Sequence, residues 1–213
     1  MGVLIRAGPP STVRRAILAA DRAADRAGFA ARDPVSVVRE RLGAADAEAA
    51  ALLVAAIALG RAATIRVKAR EMLDRLTGPD GALALDDRAD VRRRLAGFRH
   101  RFYDAGAIGA LALGIGRARR GSAGLEALFR ERLAAAGGST PAAWRGACTA
   151  FVHAVDPDVG VLPDPSLGSA SKRLHLFLRW VVRPDDGVDL GLWSLPASML
   201  LVPLDVHVHR IAR

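Results

Sequence analysis

Residues 50–60 form an uninterrupted apolar run that ends at Arg61. The run is rich in alanine and leucine, which are strong helix formers. It is shorter than the roughly 20 residues that a helix needs to cross a membrane. A helix that is apolar on every side must be surrounded by other elements. The sequence therefore predicts a buried helix at the centre of a helical core.

The rest of the chain is typical of helices joined by short loops. Alternation of apolar and polar residues, which indicates strands, is almost absent apart from residues 199–202. Helices are predicted at residues 11–27, 34–41, 46–76 with a break near Gly60, 87–102, 105–119, 125–135 and 140–155, and from Ser169 or Ser171 to Arg183. Residues 156–168 contain three prolines and two glycines, so they form a loop. The predicted fold class is all-α, with residues 1–213 forming one helical domain or two lobes that share a core.

The balance of charge favours a polyanionic partner. The chain has 31 basic and 22 acidic residues and a formal net charge of +9, and binding to phosphates needs many exposed cations. Nucleic acid is the predicted partner, and a general bias of the proteome towards basic residues is the alternative. Lys68 and Lys172 are the only lysines, so 31 − 2 = 29 basic residues are arginines. A lysine retained in such a chain indicates a need for an amine that can lose its proton, which a guanidinium cannot do.

Cofactors and compartments are constrained by what the sequence lacks. Cys148 is the only cysteine, which excludes an internal disulfide and a cysteine-based metal or iron–sulfur site. No apolar core of signal-peptide length precedes Pro9 and Pro10. His207 and His209 are two residues apart, a spacing that does not bring them to one face of a helix as metal ligands. We therefore predict a monomeric cytoplasmic protein without metal, redox cofactor or membrane association.

Two stretches near the C-terminus resemble a known superfamily. Residues 203–213 are PLDVHVHRIAR, which resembles the segment V-D-T-H-V-x-R-V-x-x-R of the helix-hairpin-helix DNA glycosylases. In that segment an aspartate at the head of a helix assists cleavage of the N-glycosidic bond, and Asp205 stands at its position. The stretches SASKRLHLFLRW and VDLGLW resemble a largely uncharacterised family assigned to the same superfamily by its fold. The resemblance covers most of the chain from about Arg41 onward.

The spacing of a lysine and this aspartate refines the resemblance. Lys172 and Asp205 are 33 positions apart (205 − 172 = 33), which is longer than in endonuclease III-type enzymes and similar to the archaeal 8-oxoguanine glycosylases. Lys172 matches the lysine that this branch carries in a helix after an atypical hairpin. Three features differ from the superfamily: the hairpin motif L-P-G-V-G-x-x-T-A is absent, Val206 replaces the threonine of D-T-H, and the helices that normally follow are missing after Arg213.

The resemblance implies a two-lobed, all-α glycosylase fold and a base-excision repair enzyme that extrudes a damaged base from double-stranded DNA. It implies Lys172 as the nucleophile that attacks the sugar C1′ and forms a Schiff base, and Asp205 as the group that stabilises the developing charge. An oxidised purine such as 8-oxoguanine is the implied substrate, with associated AP lyase activity. The alternative for the pair is a solvated lysine in a first helical turn and an aspartate that caps a helix.

Further residues around Lys172 are candidates for contacts with DNA. The predicted contacts are Gly168, Ser169, Ser171, Arg173, His175 and Arg179. The loop before Lys172 offers backbone N–H groups to a phosphate at the start of a helix, and an ordinary connection is the alternative. Trp180 and Trp193 are candidates for stacking on a base, with core packing as the favoured alternative. Two functions stay open beside the enzyme, a non-catalytic DNA-binding protein of the same fold and a helical interaction protein.

Overall fold

The computed structural model describes residues 11–158, 160–204 and 210. The helices are α1 (Ser11–Ala23), α2 (Arg26–Arg32), α3 (Val35–Arg39), α4 (Ala47–Ala56), α5 (Ala62–Leu76), α6 (Arg88–Arg94), α7 (Ala105–Gly121), α8 (Leu125–Ala135), α9 (Pro141–Val155) and α10 (Lys172–Val182). An antiparallel hairpin of β1 (Arg99–His100) and β2 (Tyr103–Asp104) precedes α7, and short 3₁₀ turns lie at Pro165–Leu167 and Ala197–Met199. The described part of the chain is mostly helical, which confirms the all-α fold class.

Helix α4 is the predicted central helix. Every residue of α4 except Glu48 is buried. Helix α10 packs along α4, while α3, α5 and α7 contact it elsewhere. Because its apolar side chains point in all directions, this helix is stable only where other helices cover it. The predicted buried helix is thus confirmed, and the break predicted near Gly60 separates α4 from α5.

A cluster of aromatic rings joins α8, α9 and α10. Phe129 packs edge-on against Trp144, with ring centroids 4.9 Å apart, and Phe151 stacks on Phe177 at 6.1 Å. Trp193, from the segment after α10, meets Phe177 at 5.3 Å. Each such pair contributes roughly 0.5–1.5 kcal/mol beyond the burial of its area. The cluster fixes the relative position of α9 and α10, the two helices joined by the loop that precedes Lys172.

Several of the predicted helices are confirmed, and two need correction. Helices α7, α8 and α9 coincide with the predictions at residues 105–119, 125–135 and 140–155. The helix predicted at residues 11–27 is instead two helices. Asp25 interrupts it, because its carboxylate caps α2 by accepting a hydrogen bond from the Gly28 N–H at 2.8 Å.

The helix predicted at residues 87–102 is wrong in its second half. Helix α6 ends at Arg94, and Gly97 follows with a left-handed φ of 75°, a conformation that favours glycine and commonly follows the end of a helix. The chain then forms the hairpin. Asp104 ends the hairpin and caps α7 by accepting a hydrogen bond from the Ala107 N–H at 3.0 Å.

Gly114 allows a close contact between α7 and α9. A Cβ at this position would lie 1.9 Å from the carbonyl oxygen of Val155, the last residue of α9. We expect Gly114→Ala to lower the free energy of unfolding by about 2–3 kcal/mol, since backbone must shift to relieve the overlap. The corresponding fall in Tm is about 4–12 °C, measurable by circular dichroism.

Gly121, at the end of the same helix, provides the matched control. A Cβ there would meet nothing within 4 Å, and alanine has the higher helix propensity. Gly121→Ala should therefore leave Tm unchanged or raise it slightly. Equal Tm values for the two variants would mean that the close approach at Gly114 does not matter for stability.

Candidate active site

The first half of the loop between α9 and α10 is organised by a buried carboxylate. Asp156 is 1% exposed. Its Oδ2 accepts hydrogen bonds from the N–H groups of Val161, at 2.8 Å, and Leu162, at 2.7 Å. These bonds satisfy backbone donors that the loop would otherwise bury without partners. The first half of the loop is thereby tied to the end of α9.

A second carboxylate organises the later half of the same loop. Asp164 accepts a hydrogen bond from the Ser166 N–H at 2.7 Å, which starts the 3₁₀ turn at Pro165–Leu167. Its Oδ2 also lies 2.7 Å from Nε2 of His153 on α9. This bond with the His153 ring holds the pKa of the Asp164 carboxyl below its usual range. Gly168 then ends the turn with a φ of 78°, which glycine adopts readily.

The start of α10 is held by hydrogen bonds within the loop. Ser171 has a left-handed φ of 45° and is 2% exposed. Its hydroxyl donates to the Pro163 carbonyl at 3.1 Å, and its N–H donates to Oγ of Ser169 at 3.1 Å. The predicted contact between the Ser171 side chain and DNA conflicts with this burial. Gly168 and Ser169 are exposed beside it, so their predicted contacts remain open.

Lys172 is the first residue of α10 and lines a groove of about 630 Å³. His175 and Arg179 line the same groove, because residues three and four positions apart share one face of a helix. The other wall comes from the segment after Ala197. That wall contains the apolar residues Leu200, Leu201, Val202 and Pro203. Asp205, the predicted partner of Lys172, lies just beyond this wall in the sequence and outside the described residues.

His175 gives the groove a ring nitrogen without a positive charge. The side chain is partly buried one turn after Lys172, and this burial lowers the pKa of the imidazole below its ordinary value. A histidine with a lowered pKa is mostly neutral at pH 7. His175 is thus placed to accept or donate a hydrogen bond rather than to pair with an anion.

Arg179 is positioned by a carboxylate that the sequence analysis did not single out. The Asp189 side chain is 0% exposed and lies 3.1 Å from Nε of Arg179 and 2.9 Å from Nε of Arg183. Burial raises the pKa of Asp189, although both guanidinium groups act in the opposite direction. Buried charges need such partners. Asp189 therefore fixes Arg179 at the rim of the groove, and the only sequence signal for it was an aspartate inside an apolar stretch.

Three further predicted site residues have contacts inside the protein. Arg173 donates to the Ala56 carbonyl at the end of α4, and its guanidinium lies 5.3 Å from the centre of the Tyr103 ring. Arg173 thus connects α10 to the hairpin, and its predicted contact with DNA stays a prediction. Trp180 and Trp193 are 1% and 5% exposed. The core-packing alternative is therefore confirmed for both, and neither ring has a free face to stack on a base.

The described residues contain no group of three or more histidine, cysteine, aspartate or glutamate side chains placed to hold a metal ion. Cys148 is buried in the core, and burial raises the pKa of its thiol to about 12. None of the helices in the ranges that the structure covers is long and apolar enough to cross a lipid bilayer. The titratable groups that line the groove are an amine, an imidazole and guanidinium groups.

The described residues define a helical protein with a lysine at the start of a helix and a groove beside it. The chain belongs to the DUF2400 family, described as proteins of unknown function, and the family model matches residues 33–213. The match includes all helices from α3 to α10 and both walls of the groove. No curated protein and no solved structure matches the chain. The family description assigns no activity, so function must be inferred from the groove.

Proposed function

We propose that this protein is a DNA glycosylase with Schiff-base lyase activity that removes a damaged base from double-stranded DNA. The observation that carries the proposal is the position of Lys172, an amine in the lining of a groove of about 630 Å³. Grooves of this volume suit ligands of the size of a nucleotide. The two-lobed helix-hairpin-helix fold and the oxidised-purine substrate are part of the proposal through the sequence resemblance alone.

The two walls of the groove suit the two parts of a nucleotide. The apolar wall at residues 200–203 offers a surface for an extruded base, which must lose its stacking partners before it enters a pocket. The opposite wall carries Lys172 and Arg179, whose positive charges suit the phosphates. His175 offers a hydrogen bond between them. The proposal therefore assigns base and backbone to opposite walls.

In the proposed reaction the Lys172 amine attacks C1′ of the damaged nucleotide. The new C1′–N bond forms as the glycosidic bond breaks, and the base leaves with the bonding electrons and takes up a proton. The nitrogen then gives a proton to the ring oxygen as the C1′–O4′ bond breaks, which forms the imine, and loss of a C2′ proton to water expels the 3′ phosphate with the electrons of its C–O bond. The resemblance assigns Asp205 the stabilisation of positive charge on the sugar.

Affinity for duplex DNA is expected to fall steeply with salt. The net charge of +9 and the arginines of the groove imply that binding releases counterions, with a slope of log K against log salt of about −0.9 for each neutralised phosphate. We expect a slope of about −3 or steeper in fluorescence anisotropy with a lesion-free duplex. A slope near zero, or no binding at low salt, would favour the helical interaction protein instead.

Borohydride trapping tests the reaction itself. The wild-type protein is incubated with duplexes that contain 8-oxoguanine or an abasic site, in the presence of borohydride, which reduces an imine to a permanent crosslink. The proposal expects a covalent protein–DNA complex on a denaturing gel. Salt-sensitive binding without a crosslink on either duplex would instead identify a non-catalytic DNA-binding protein.

A further inference from the structure

The tip of the hairpin exposes an aromatic ring. Phe102 lies between β1 and β2 and is 79% exposed. Four of the other phenylalanines, those at positions 98, 129, 151 and 177, are buried in the core. A large apolar side chain in water at a loop tip contributes nothing to the packing of the core. The Phe102 ring is therefore accessible for contact with another molecule.

The hairpin holds Phe102 in a fixed place. His100 pairs with Tyr103 next to the turn and is 3% exposed, so the hairpin is anchored by a buried side chain. The Tyr103 hydroxyl donates to the Val161 carbonyl at 3.3 Å, in the loop before α10. Arg101 adopts a left-handed φ of 55°, and its guanidinium lies 5.8 Å from the centre of the Phe102 ring. The ring is thus presented on a short, tied turn.

The same hairpin lies against the helix that carries Lys172. Arg173 spans the two elements, since its guanidinium packs on the Tyr103 ring at 5.3 Å and donates to the Ala56 carbonyl. Phe102 is next to Tyr103 in the chain, and Lys172 is next to Arg173. The hairpin that presents the ring is therefore tied to the first turn of α10 through Arg173.

The surroundings of Phe102 are basic. Arg99 and Arg101 flank the ring in the hairpin, and both are exposed. The Arg101 side chain reaches over the preceding loop, where its Nη1 would lie 3.4 Å from a Cβ at Gly60, beside the exposed Arg61. The one nearby carboxylate in the hairpin, Asp104, is used to cap α7. An apolar ring among arginines is complementary to stacked bases between phosphates.

We propose that Phe102 inserts into the base stack of duplex DNA at the space left by the nucleotide that enters the groove. This inference rests on the proposed function and adds to it the residue that holds the duplex open. The flanking arginines contact the phosphates on either side of the gap. The ring replaces the stacking that the remaining bases lose when one base is extruded.

The experiment compares two duplexes, one intact and one with a tetrahydrofuran abasic analogue next to a 2-aminopurine. Wild-type protein should bind the abasic duplex more tightly and raise the 2-aminopurine fluorescence, because insertion unstacks the probe. Phe102→Ala should lose about tenfold or more of that preference and most of the fluorescence rise. Phe102→Trp should restore both. Thermal unfolding of each variant confirms that the exposed substitution leaves the fold intact.

Phe29→Ala is the matched control, since Phe29 is the other exposed phenylalanine, at 52%, and lies on α2. It should behave as wild type. Phe102→Ala with undiminished preference and fluorescence would overturn the inference, as would equal losses in the two alanine variants. Wild-type protein that unstacks the probe through Phe102 but forms no borohydride crosslink would overturn the proposed reaction and leave the inference standing. Absence of any DNA binding would overturn both.

Discussion

Lys172→Arg is expected to abolish the borohydride crosslink while DNA affinity stays close to that of the wild type. Arginine preserves the positive charge in the lining of the groove, but its guanidinium stays protonated and offers no usable nucleophile. The expected result is therefore a loss of crosslinked product to background on both the 8-oxoguanine and abasic duplexes. Denaturing gels measure the crosslink, and anisotropy at one fixed salt concentration measures the affinity.

Lys68→Arg supplies the matched control, because Lys68 is the one other lysine of the chain. It lies on α5, where its Nζ pairs with Glu71 at 2.7 Å and lies 5.5 Å from the centre of the Phe98 ring. Arginine can keep both contacts, so this variant should crosslink as the wild type does. A crosslink that survives in Lys172→Arg would move the nucleophile to Lys68 or to the terminal amine, and the double variant would distinguish these two.

Glu48→Ala is expected to lower the free energy of unfolding by about 3–5 kcal/mol. The Glu48 carboxylate projects from the central helix α4 and accepts three hydrogen bonds. The donors are the N–H groups of Leu125, at 2.6 Å, and Glu126, at 3.2 Å, and the indole N–H of Trp193, at 3.0 Å. Alanine would leave a helix N-terminus and a buried indole without their acceptor. Urea unfolding monitored by tryptophan fluorescence and circular dichroism measures the loss.

Glu40→Ala is the comparison for this prediction. Glu40 pairs with Arg70 on the surface and its side chain is 53% exposed, so its loss should change stability by less than about 1 kcal/mol. Glu48→Gln, which keeps a carbonyl acceptor, should fall between the two alanine variants. If Glu48→Ala unfolds at the same urea concentration as Glu40→Ala, the three hydrogen bonds do not stabilise the fold as described.

Local patterns were enough to predict most of the helices. The apolar positions of α10 at residues 174, 177, 178 and 181 recur at helical spacing, and all four are buried. Helix α9 begins at Pro141 after the capping residue Thr140, a local signal that needs no tertiary information. The hairpin was missed because its support is not local. Tyr103 is held by Val161 and Arg173, which are far from it in the sequence.

For the candidate site too, sequence spacing could predict some features and could not predict others. Residues 172, 175 and 179 share a helical face, so sequence spacing could predict that they line one groove. The roles of Ser171 and Arg173 could not be predicted, since their partners Pro163 and Ala56 are set by how the loop and α4 pack. Asp189 was missed for the same reason. An aspartate between apolar residues is a weak signal on its own, and its role becomes clear only when the arginines of α10 lie beside it.

The trio of Arg179, Asp189 and Arg183 has a consequence for how any anion binds the groove. The Asp189 carboxyl faces two guanidinium groups, and Asp186 also lies 3.6 Å from Arg183, so Arg179 is the arginine of the trio with fewer carboxylate partners. An anion that binds the groove at Arg179 competes there with the anions of the buffer, and its departure leaves Asp189 with both of its partners. The choice of buffer anion, chloride or a bulkier carboxylate, therefore becomes part of any affinity measured for this groove.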